Sequence, residues 1–450
     1  MKIVIMGAGK VGQVICSDLS KEDHDITLIE KNNERLEEML NEFDINGILG
    51  NGASYEIQKE VGVDTCDIFV AVTDDDELNM ISCVLARSIG AKHTLARVRK
   101  QEYSSWAKII GESLGLSYLL NPELQTAEYI KRLISFPQAI SYQKFMSSKA
   151  PIVEMKVSED SDFIGKKVAD FRSLYPDLIV CAVEDEDDIF IPKGDHFIKE
   201  GNHIFVTGPT PELIKLFHEN GQNERSIKSI LIIGGGLITR YLLKLLEKTK
   251  IKIKVFEINK KKAEDLSLTF PNVEVINDDG TSIKNLKEQR AKDFDAFFAL
   301  TGIDEENIIV SMIAKKLGIE KILTKISRTE LYPFVDLIGL DSIVTPKRIV
   351  ADSILQKVRA LINSDGSSVE ALYTLAESRI EALQFKVKEG SRITESMIKD
   401  LPIADGNLIA YIVRKGEILF PTGYDQILPN DRVLIISQNQ KLDELDDILR

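Results

Sequence analysis

The chain has 450 residues, long enough for about three domains, and 44% of them are hydrophobic, so each domain can bury a core. Its 71 acidic residues outnumber 57 basic ones, for a net charge of −14. That excess argues against nucleic acid or an anionic lipid surface as the main partner.

The first stretch organises the rest. Ile3 to Met6 is a short apolar run that predicts a buried parallel strand. Gly7, Gly9 and Gly12 then give G-x-G-x-x-G at the mouth of an amphipathic helix. A second strand, Ile26 to Ile29, ends on Glu30, 23 residues after the first glycine (30 − 7). Gly7 makes the tight turn, Gly9 admits a pyrophosphate to the backbone, and Gly12 lets helix and strand pack closely. The helix N-terminus offers positive dipole to phosphates, and Glu30 can accept hydrogen bonds from a ribose diol. A carboxylate there favours a free 2′-hydroxyl, hence NAD over NADP. A purely structural β-α-β turn is the plainer alternative.

Asn33 opens a charged helix over 33–42. Asn46 to Leu49 predicts a third strand, followed by Gly50-Asn51-Gly52-Ala53-Ser54. Ile68 to Val72 predicts a fourth, ending at Thr73-Asp74-Asp75-Asp76-Glu77-Leu78-Asn79. The next helix carries Met80, Ile81, Val84, Leu85 and Ile89 on one face, and Thr94 to Val98 predicts a fifth strand. Strands alternating with helices at this spacing predict a doubly wound parallel sheet, α/β in class. Trp106, Ile109 and Ile110 suit either the core or a contact between protomers. Asn121-Pro122 starts a helix and Phe136-Pro137 ends it.

From about 151 the rhythm changes. Strands Ile152–Val157, Ile179–Val183, Ile189–Ile191 and His203–Val206 predict a small α+β unit ending near 218. The acidic run Glu184 to Asp188 reads as a solvated hairpin tip, with cation binding the weaker alternative. Glu219 to Glu224 is polar and Gly-bearing and reads as a linker.

The plan then repeats. Ile230 to Ile233 is the strand, Gly234-Gly235-Gly236 the turn, Leu237-Ile238 the helix start, and Glu257 the acid, again 23 residues from the first glycine (257 − 234). Asp279-Gly280 matches Asn51-Gly52, Thr301 matches Thr73, and Thr345-Pro346 matches Asn121-Pro122. Two tandem copies of a two-domain unit follow. The second copy departs from the first at Thr239, in the third glycine position, and at Lys325, in the position of Arg97. The stretch from 346 to about 380 reads as two helices broken at 364–368.

The motifs Gly-Ala-Gly-Lys-Val-Gly (7–12), Leu-Ile-Glu (28–30), Gly-Asn-Gly-Ala-Ser (50–54), Val-Thr-Asp-Asp-Asp-Glu-Leu-Asn-Met (72–80) and Ala-Arg-Val-Arg (96–99), duplicated across the whole chain, resemble the TrkA family of Trk potassium uptake regulators. The resemblance implies Rossmann-like KTN/RCK-N domains over 1–120 and 227–344, linking helices over 121–150 and 345–379, a linker over 219–226, and small RCK-C domains over 151–218 and 380–450. It implies a peripheral, cytoplasmic, non-enzymatic gating-ring protein on the inner face of the membrane. Its partner would be a membrane potassium-translocating subunit of TrkH/TrkG type, its ligands NAD(H) and ATP/ADP, and its assembly a homo-oligomer, a tetramer on the geometry of two units per chain.

Carried onto this sequence, the nucleotide site comprises Gly7, Ala8, Gly9, Lys10, Val11 and Gly12 at the phosphates and Glu30 at the ribose. Asn51, Thr73, Asp74 and Arg97 stand at the following strand ends. The second site comprises Gly234, Gly235, Gly236, Leu237, Ile238, Glu257, Asp279 and Thr301. Each has a plainer reading: Asn51 as a turn former, Asp74 as part of an acidic helix N-terminus, Arg97 as an ion pair, the second copy as an assembly piece.

No catalytic set accompanies the glycine turns. An NAD-dependent oxidoreductase is the alternative, but neither His196 nor His203 has a recognisable catalytic setting. A scaffold that binds nothing is the third reading. The five histidines have no metal-ligand spacing, so no metal site is expected. The four cysteines are scattered and are expected as reduced, buried thiols. No apolar run reaches the roughly 18 residues of a membrane span, and with a strand at the N-terminus no secretion signal is expected.

Overall fold

The computed structural model describes the chain except residues 22–23, 105, 144–149, 160, 186–187, 221–225, 329–330, 332–334, 336–337, 341, 364–368, 376–378, 439–441 and 443. The first sheet is parallel, with strands β1 (Lys2–Met6), β2 (Asp25–Glu30), β3 (Asn46–Leu49), β4 (Ile68–Ala71), β5 (His93–Arg97) and β6 (Tyr118–Leu120) in the order β3-β2-β1-β4-β5-β6. The two central strands are apolar without alternation because both faces are covered: Ile3, Val4, Ile5 and Ile68 to Ala71 are fully buried. The chain order reverses beside β1, which places the glycine turn at the switch point where such sheets bind ligands. The fifth strand lies one residue earlier than expected. The sixth, three residues long, has too little pattern to be read from sequence.

The second half repeats this sheet. Strands β12 (Ser229–Ile233), β13 (Lys252–Phe256), β14 (Glu274–Ile276), β15 (Ala296–Ala299), β16 (Lys321–Lys325) and β17 (Ser342–Val344) run in the order β14-β13-β12-β15-β16-β17.

Two antiparallel sheets complete the fold. One holds β7 (Ser141–Gln143), β8 (Ile152–Lys156), β9 (Ile179–Asp185), β10 (Asp188–Phe190) and β11 (His203–Thr207), ordered β10-β9-β11-β8-β7. The other holds β18 (Val369–Leu375), β19 (Ile380–Lys386), β20 (Asn407–Arg414), β21 (Glu417–Leu419) and β22 (Arg432–Ser437), ordered β18-β19-β22-β20-β21. Read from its other edge, the second order is the first.

The stretch expected as two helices over 346–380 needs correction. Pro346–Asn363 is helical, but Val369–Leu375 is a strand that pairs antiparallel with β19. Its Val, Tyr, Thr and Leu side chains suit a pleated surface more than a helix. The same holds in the first copy, where Ser141–Gln143 pairs with β8 inside the segment expected to be a linking helix. The expected break at 364–368 lies outside the described residues, as do 186–187 of the acidic hairpin tip and 221–225 of the expected linker. Glu219 closes a helix, Thr210–Glu219, and Asn220 is buried, donating from Nδ2 to the Lys156 carbonyl at 3.0 Å.

The chain divides into two compact units. One comprises Met1–Ile130, Ile230–Gly318 and Ile322–Val358, and so both parallel sheets; the other comprises Lys131–Ser229, Ile319–Lys321 and Arg359–Arg450, and so both antiparallel sheets. Within the first unit the copies meet through polar contacts: Gln125 Nε2 donates to Ser353 Oγ at 3.0 Å, and Arg348 pairs with Asp18 at 2.9 Å. Within the second, the two sheets share an apolar core that includes Ala182 and Phe205 from one and Tyr373, Tyr411 and Leu434 from the other. All four cysteines are buried and unbridged, and burial pushes the Cys16 thiol up to about 12. No helix among the described residues is long and apolar enough to cross a membrane.

Candidate nucleotide-binding site

The glycines of the first turn do three different jobs. Gly7 has φ +107°, a conformation that L side chains rarely adopt, so the chain can reverse between β1 and the helix Lys10–Leu19. A Cβ on Gly12 would sit 1.9 Å from the Gly7 carbonyl oxygen, so glycine there is a packing requirement. Gly9 is different. Its φ is −72°, and a Cβ built on it meets nothing within 4 Å. Neither strain nor packing within the chain asks for glycine at this position. What glycine leaves there is open space beside the first N–H groups of the helix, a fit for a phosphate approaching the backbone.

Glu30 closes the turn. It is only 6% exposed; Oε2 accepts from Ala8 N at 2.6 Å, and Oε1 from Lys31 N and Asn32 N, both at 2.9 Å. A carboxylate has about four acceptor sites. Three are used by backbone amides, which leaves one on Oε2 for a hydroxyl. The acid therefore holds the turn as well as facing the expected ribose position. Lys10 is exposed at the helix start, while Val11 turns into the core and leaves only its backbone amide to the site.

The ends of β4 and β5 are tied together by a residue that sequence reasoning quoted but did not assign. Asn79 is fully buried. Its Oδ1 accepts from Thr73 N at 3.0 Å and Thr73 Oγ1 at 2.7 Å, and its Nδ2 donates to the carbonyls of Thr73 and Arg97, both at 3.0 Å. A buried asparagine in an otherwise amphipathic helix was the signal available. Arg97 Nη1 donates to the Thr73 carbonyl at 3.3 Å and to Asp74 Oδ1 at 3.2 Å. Its Nε is buried and finds no acceptor among the described residues. Asp74 is exposed and pairs with Arg97. Asn51 is exposed too, and its Oδ1 caps its own turn, accepting from Ala53 N at 3.1 Å.

The second copy rebuilds the same arrangement with different residues. Gly234 has φ +103°, and a Cβ on Gly236 again meets nothing within 4 Å. Thr239 adapts to the position of Gly12 by donating its hydroxyl to the Gly234 carbonyl at 2.5 Å. Glu257 accepts from Gly235 N and Asn259 N, both at 2.8 Å. Asp279 Oδ1 accepts from Thr281 N and Oγ1 at 2.8 and 2.7 Å, as Asn51 does in its own turn. Asn307 repeats Asn79, accepting from Thr301 N at 2.9 Å and donating to the Lys325 carbonyl at 3.0 Å. Lys325 Nζ donates to the Thr301 carbonyl at 2.7 Å. Burial pushes this ammonium down, and Lys10 of the first copy adds to the push against the pull of Asp304 and Glu123. Leu237 is 37% exposed beside the turn, whereas Ile238 is buried.

Residues 3–122 and 230–346 match the TrkA-N domain family, and residues 152–220 and 382–450 match the TrkA-C domain family. The chain belongs to the TrkA family. Among its relatives, the Trk system potassium uptake protein TrkA homolog 1 of Methanosarcina mazei is 32% identical over 454 residues, covering 99% of each chain. Among solved structures, the GsuK channel bound to NAD superposes with a TM-score of 0.63 at 15% identity, over 97% of this chain and 76% of that one. GsuK bound to ADP gives 0.50 at 13% identity, over 81% of this chain and 69% of that one. At such identities the structures share the fold. As a TrkA-family member the chain is a potassium uptake component built of tandem Rossmann-like and small domains, and the oxidoreductase alternative has no counterpart in these names.

Proposed function

We propose that this TrkA-family chain binds NAD(H) and adenine nucleotides at its two glycine turns and regulates a membrane potassium-translocating subunit of TrkH/TrkG type from the cytoplasmic face. The observation that carries the reading is the open cradle at Gly9 and Gly236: glycine stands where the chain itself has no use for it. The buried Arg97 Nε without an acceptor, at the end of β5, supports a phosphate-bearing ligand, and the NAD and ADP complexes of a protein with the same fold agree. Glu30 and Glu257 favour a free ribose hydroxyl and hence NAD over NADP. Gly7 to Gly12 and Gly234 to Ile238 would hold the phosphates through backbone amides. Thr73, Asp74, Arg97 and Asn51, with Thr301 and Asp279 in the second copy, would wall the pocket.

Ligand binding would shift the balance between two arrangements of the domains by a coupling free energy of about 1–3 kcal/mol. Assembly as a homo-oligomer, a tetramer on the count of two units per chain, is supported by exposed apolar side chains: Ile81, Trp106 and Ile109 in the first copy, and Ile309 and Met312 in the second. The domain division at 1–120, 151–218, 227–344 and 380–450 is part of the proposal, with the first strand of each small sheet lying just before its boundary.

The test is calorimetry of NADH, NAD, ATP and ADP on the full chain, with Gly9→Ala and Gly236→Ala beside it. Both substitutions meet only open space in the chain, so thermal melting should be nearly unchanged while a bound phosphate is obstructed. Binding lost in Gly9→Ala with the melt intact supports a live first site, and the Gly236→Ala result counts the second. Binding that survives both substitutions, or is absent from the start, sinks the reading.

A further inference from the structure

One group of side chains in the first small sheet has no part in nucleotide binding. His203 on β11 stands directly opposite Glu184 on β9. Glu154 on the other neighbour, β8, stands opposite Phe205, two residues along the same face. His203 Nδ1 lies 2.9 Å from Glu154 Oε1, and one donor atom from each of the three residues falls within 4.8 Å of the others. All three are half-buried. The spacing 154, 184, 203 carries no metal signature in the sequence; three strands bring the residues together.

We propose that Glu154, Glu184 and His203 form a binding site for a divalent transition metal ion of the Zn²⁺ class. One imidazole and two carboxylates are a donor set for such ions, with further positions open to water. Metal–ligand bonds of about 2.0–2.2 Å need the donor atoms closer than they stand, a change within reach of side-chain rotation. An outer contact is already in place: Ser141 Oγ donates to Glu154 Oε2 at 2.7 Å and fixes that carboxylate.

The second copy supplies an internal control. His203 faces Lys156 across the strand pair, as Arg432 faces Lys386, so Arg432 is its counterpart; by the same register Glu154 corresponds to Gln384. In the second copy Arg432 Nε donates to Glu370 at 2.6 Å, and Gln384 Nε2 donates to the same oxygen at 2.9 Å. There a permanent guanidinium supplies the positive charge. The first copy places a metal-ligating ring and a carboxylate at these positions, with Glu184 beside them. Arg379, from the second copy, currently donates to Glu184. A metal would displace it and would thereby exchange a contact between the two small domains for coordination.

The test is titration of the full chain with Co²⁺, read by its visible absorbance, and with Zn²⁺ by calorimetry, in the absence of nucleotide. The double variant Glu154→Gln/His203→Arg installs the pair with which the second copy folds. Glu184→Gln is a near-isosteric second probe should the double variant fold poorly by circular dichroism. Saturable binding is expected at one ion per chain, weakened at least about tenfold in either variant. Arg379→Gln should tighten binding several-fold by removing the competing cation. The proposal is overturned if the wild type shows no saturable binding, if the folded variants bind as the wild type does, or if Arg379→Gln weakens binding. None of these outcomes depends on the nucleotide reading.

Discussion

The two glycine turns of this chain have the same spacing and two different ways of closing. In the first, the helix packs so tightly that a Cβ at Gly12 would fall 1.9 Å from the Gly7 oxygen. In the second, Thr239 stands at that position and donates its hydroxyl to the Gly234 oxygen. The first turn is closed by absence of a side chain and the second by a side chain turned into a hydrogen-bond donor. What the copies keep in common is the left-handed first glycine, the open middle one and the terminal acid, Glu30 or Glu257. Those shared features are the ones a phosphate and a ribose need; the third position is a packing choice.

The largest expected effect comes from forcing the second solution on the first copy. Gly12→Thr should destabilise the first Rossmann-like domain by about 1–3 kcal/mol, because strand and helix must separate to admit the side chain. Thermal melting together with nucleotide calorimetry would show a loss of both stability and first-site binding. An unchanged melt would mean that the first turn has slack the structure does not show.

The terminal acids sharpen the comparison next. Glu30 accepts three backbone amides and Glu257 two. Hydrogen bonds to a charged group contribute about 1.5–3 kcal/mol, so Glu30→Gln should lower the urea midpoint clearly, and Glu257→Gln less. Equal shifts would remove the distinction between the copies. Thr239→Gly is milder still: it gives up one hydrogen bond and adds a helix-interior glycine, at about 1–2 kcal/mol together. If it instead stabilises the second turn, the hydroxyl contact is a poor substitute for close packing.

Much of this was legible in the sequence, for physical reasons that differ by element. The parallel sheets announced themselves because β1, β4, β12 and β15 are buried on both faces and so read as unbroken apolar runs. The duplication was legible because glycine and acid recur 23 residues apart. Residues 369–375 misled because they follow a long helix without a strong breaker visible in the pattern, and only pairing with β19 shows them as a strand. Tyr118–Leu120 was too short to read. At the site, the glycines and acids could be assigned from spacing, but Asn79 and Asn307 could not, since their role lies in binding two strand ends that are distant in sequence. The Glu154–Glu184–His203 group was invisible for the same reason: it exists only in the register of three antiparallel strands.

The smallest expected effect lies at the fifth strand of each sheet, and it carries a pH dependence. Arg97 and Lys325 both donate to the carbonyl of the threonine that ends the fourth strand, Thr73 or Thr301. A guanidinium can hold that contact and still present a fork to a diphosphate, while an ammonium is a point charge with fewer donors. Arg97→Lys should therefore weaken nucleotide binding at the first site by a few-fold, and Lys325→Arg should strengthen it at the second by a similar factor. Arg97 stays charged across the accessible range, whereas burial pushes Lys325 below the ordinary lysine value. Lys325 thus loses its proton at a lower pH than an exposed lysine, and its attraction for phosphate is lost as pH rises through that lowered value. Affinity at the second site should fall on the alkaline side while the first site holds steady, and Lys325→Arg should flatten that fall. Parallel alkaline profiles for the two sites, read with Gly9→Ala and Gly236→Ala to isolate each, would show that Lys325 does not face the ligand.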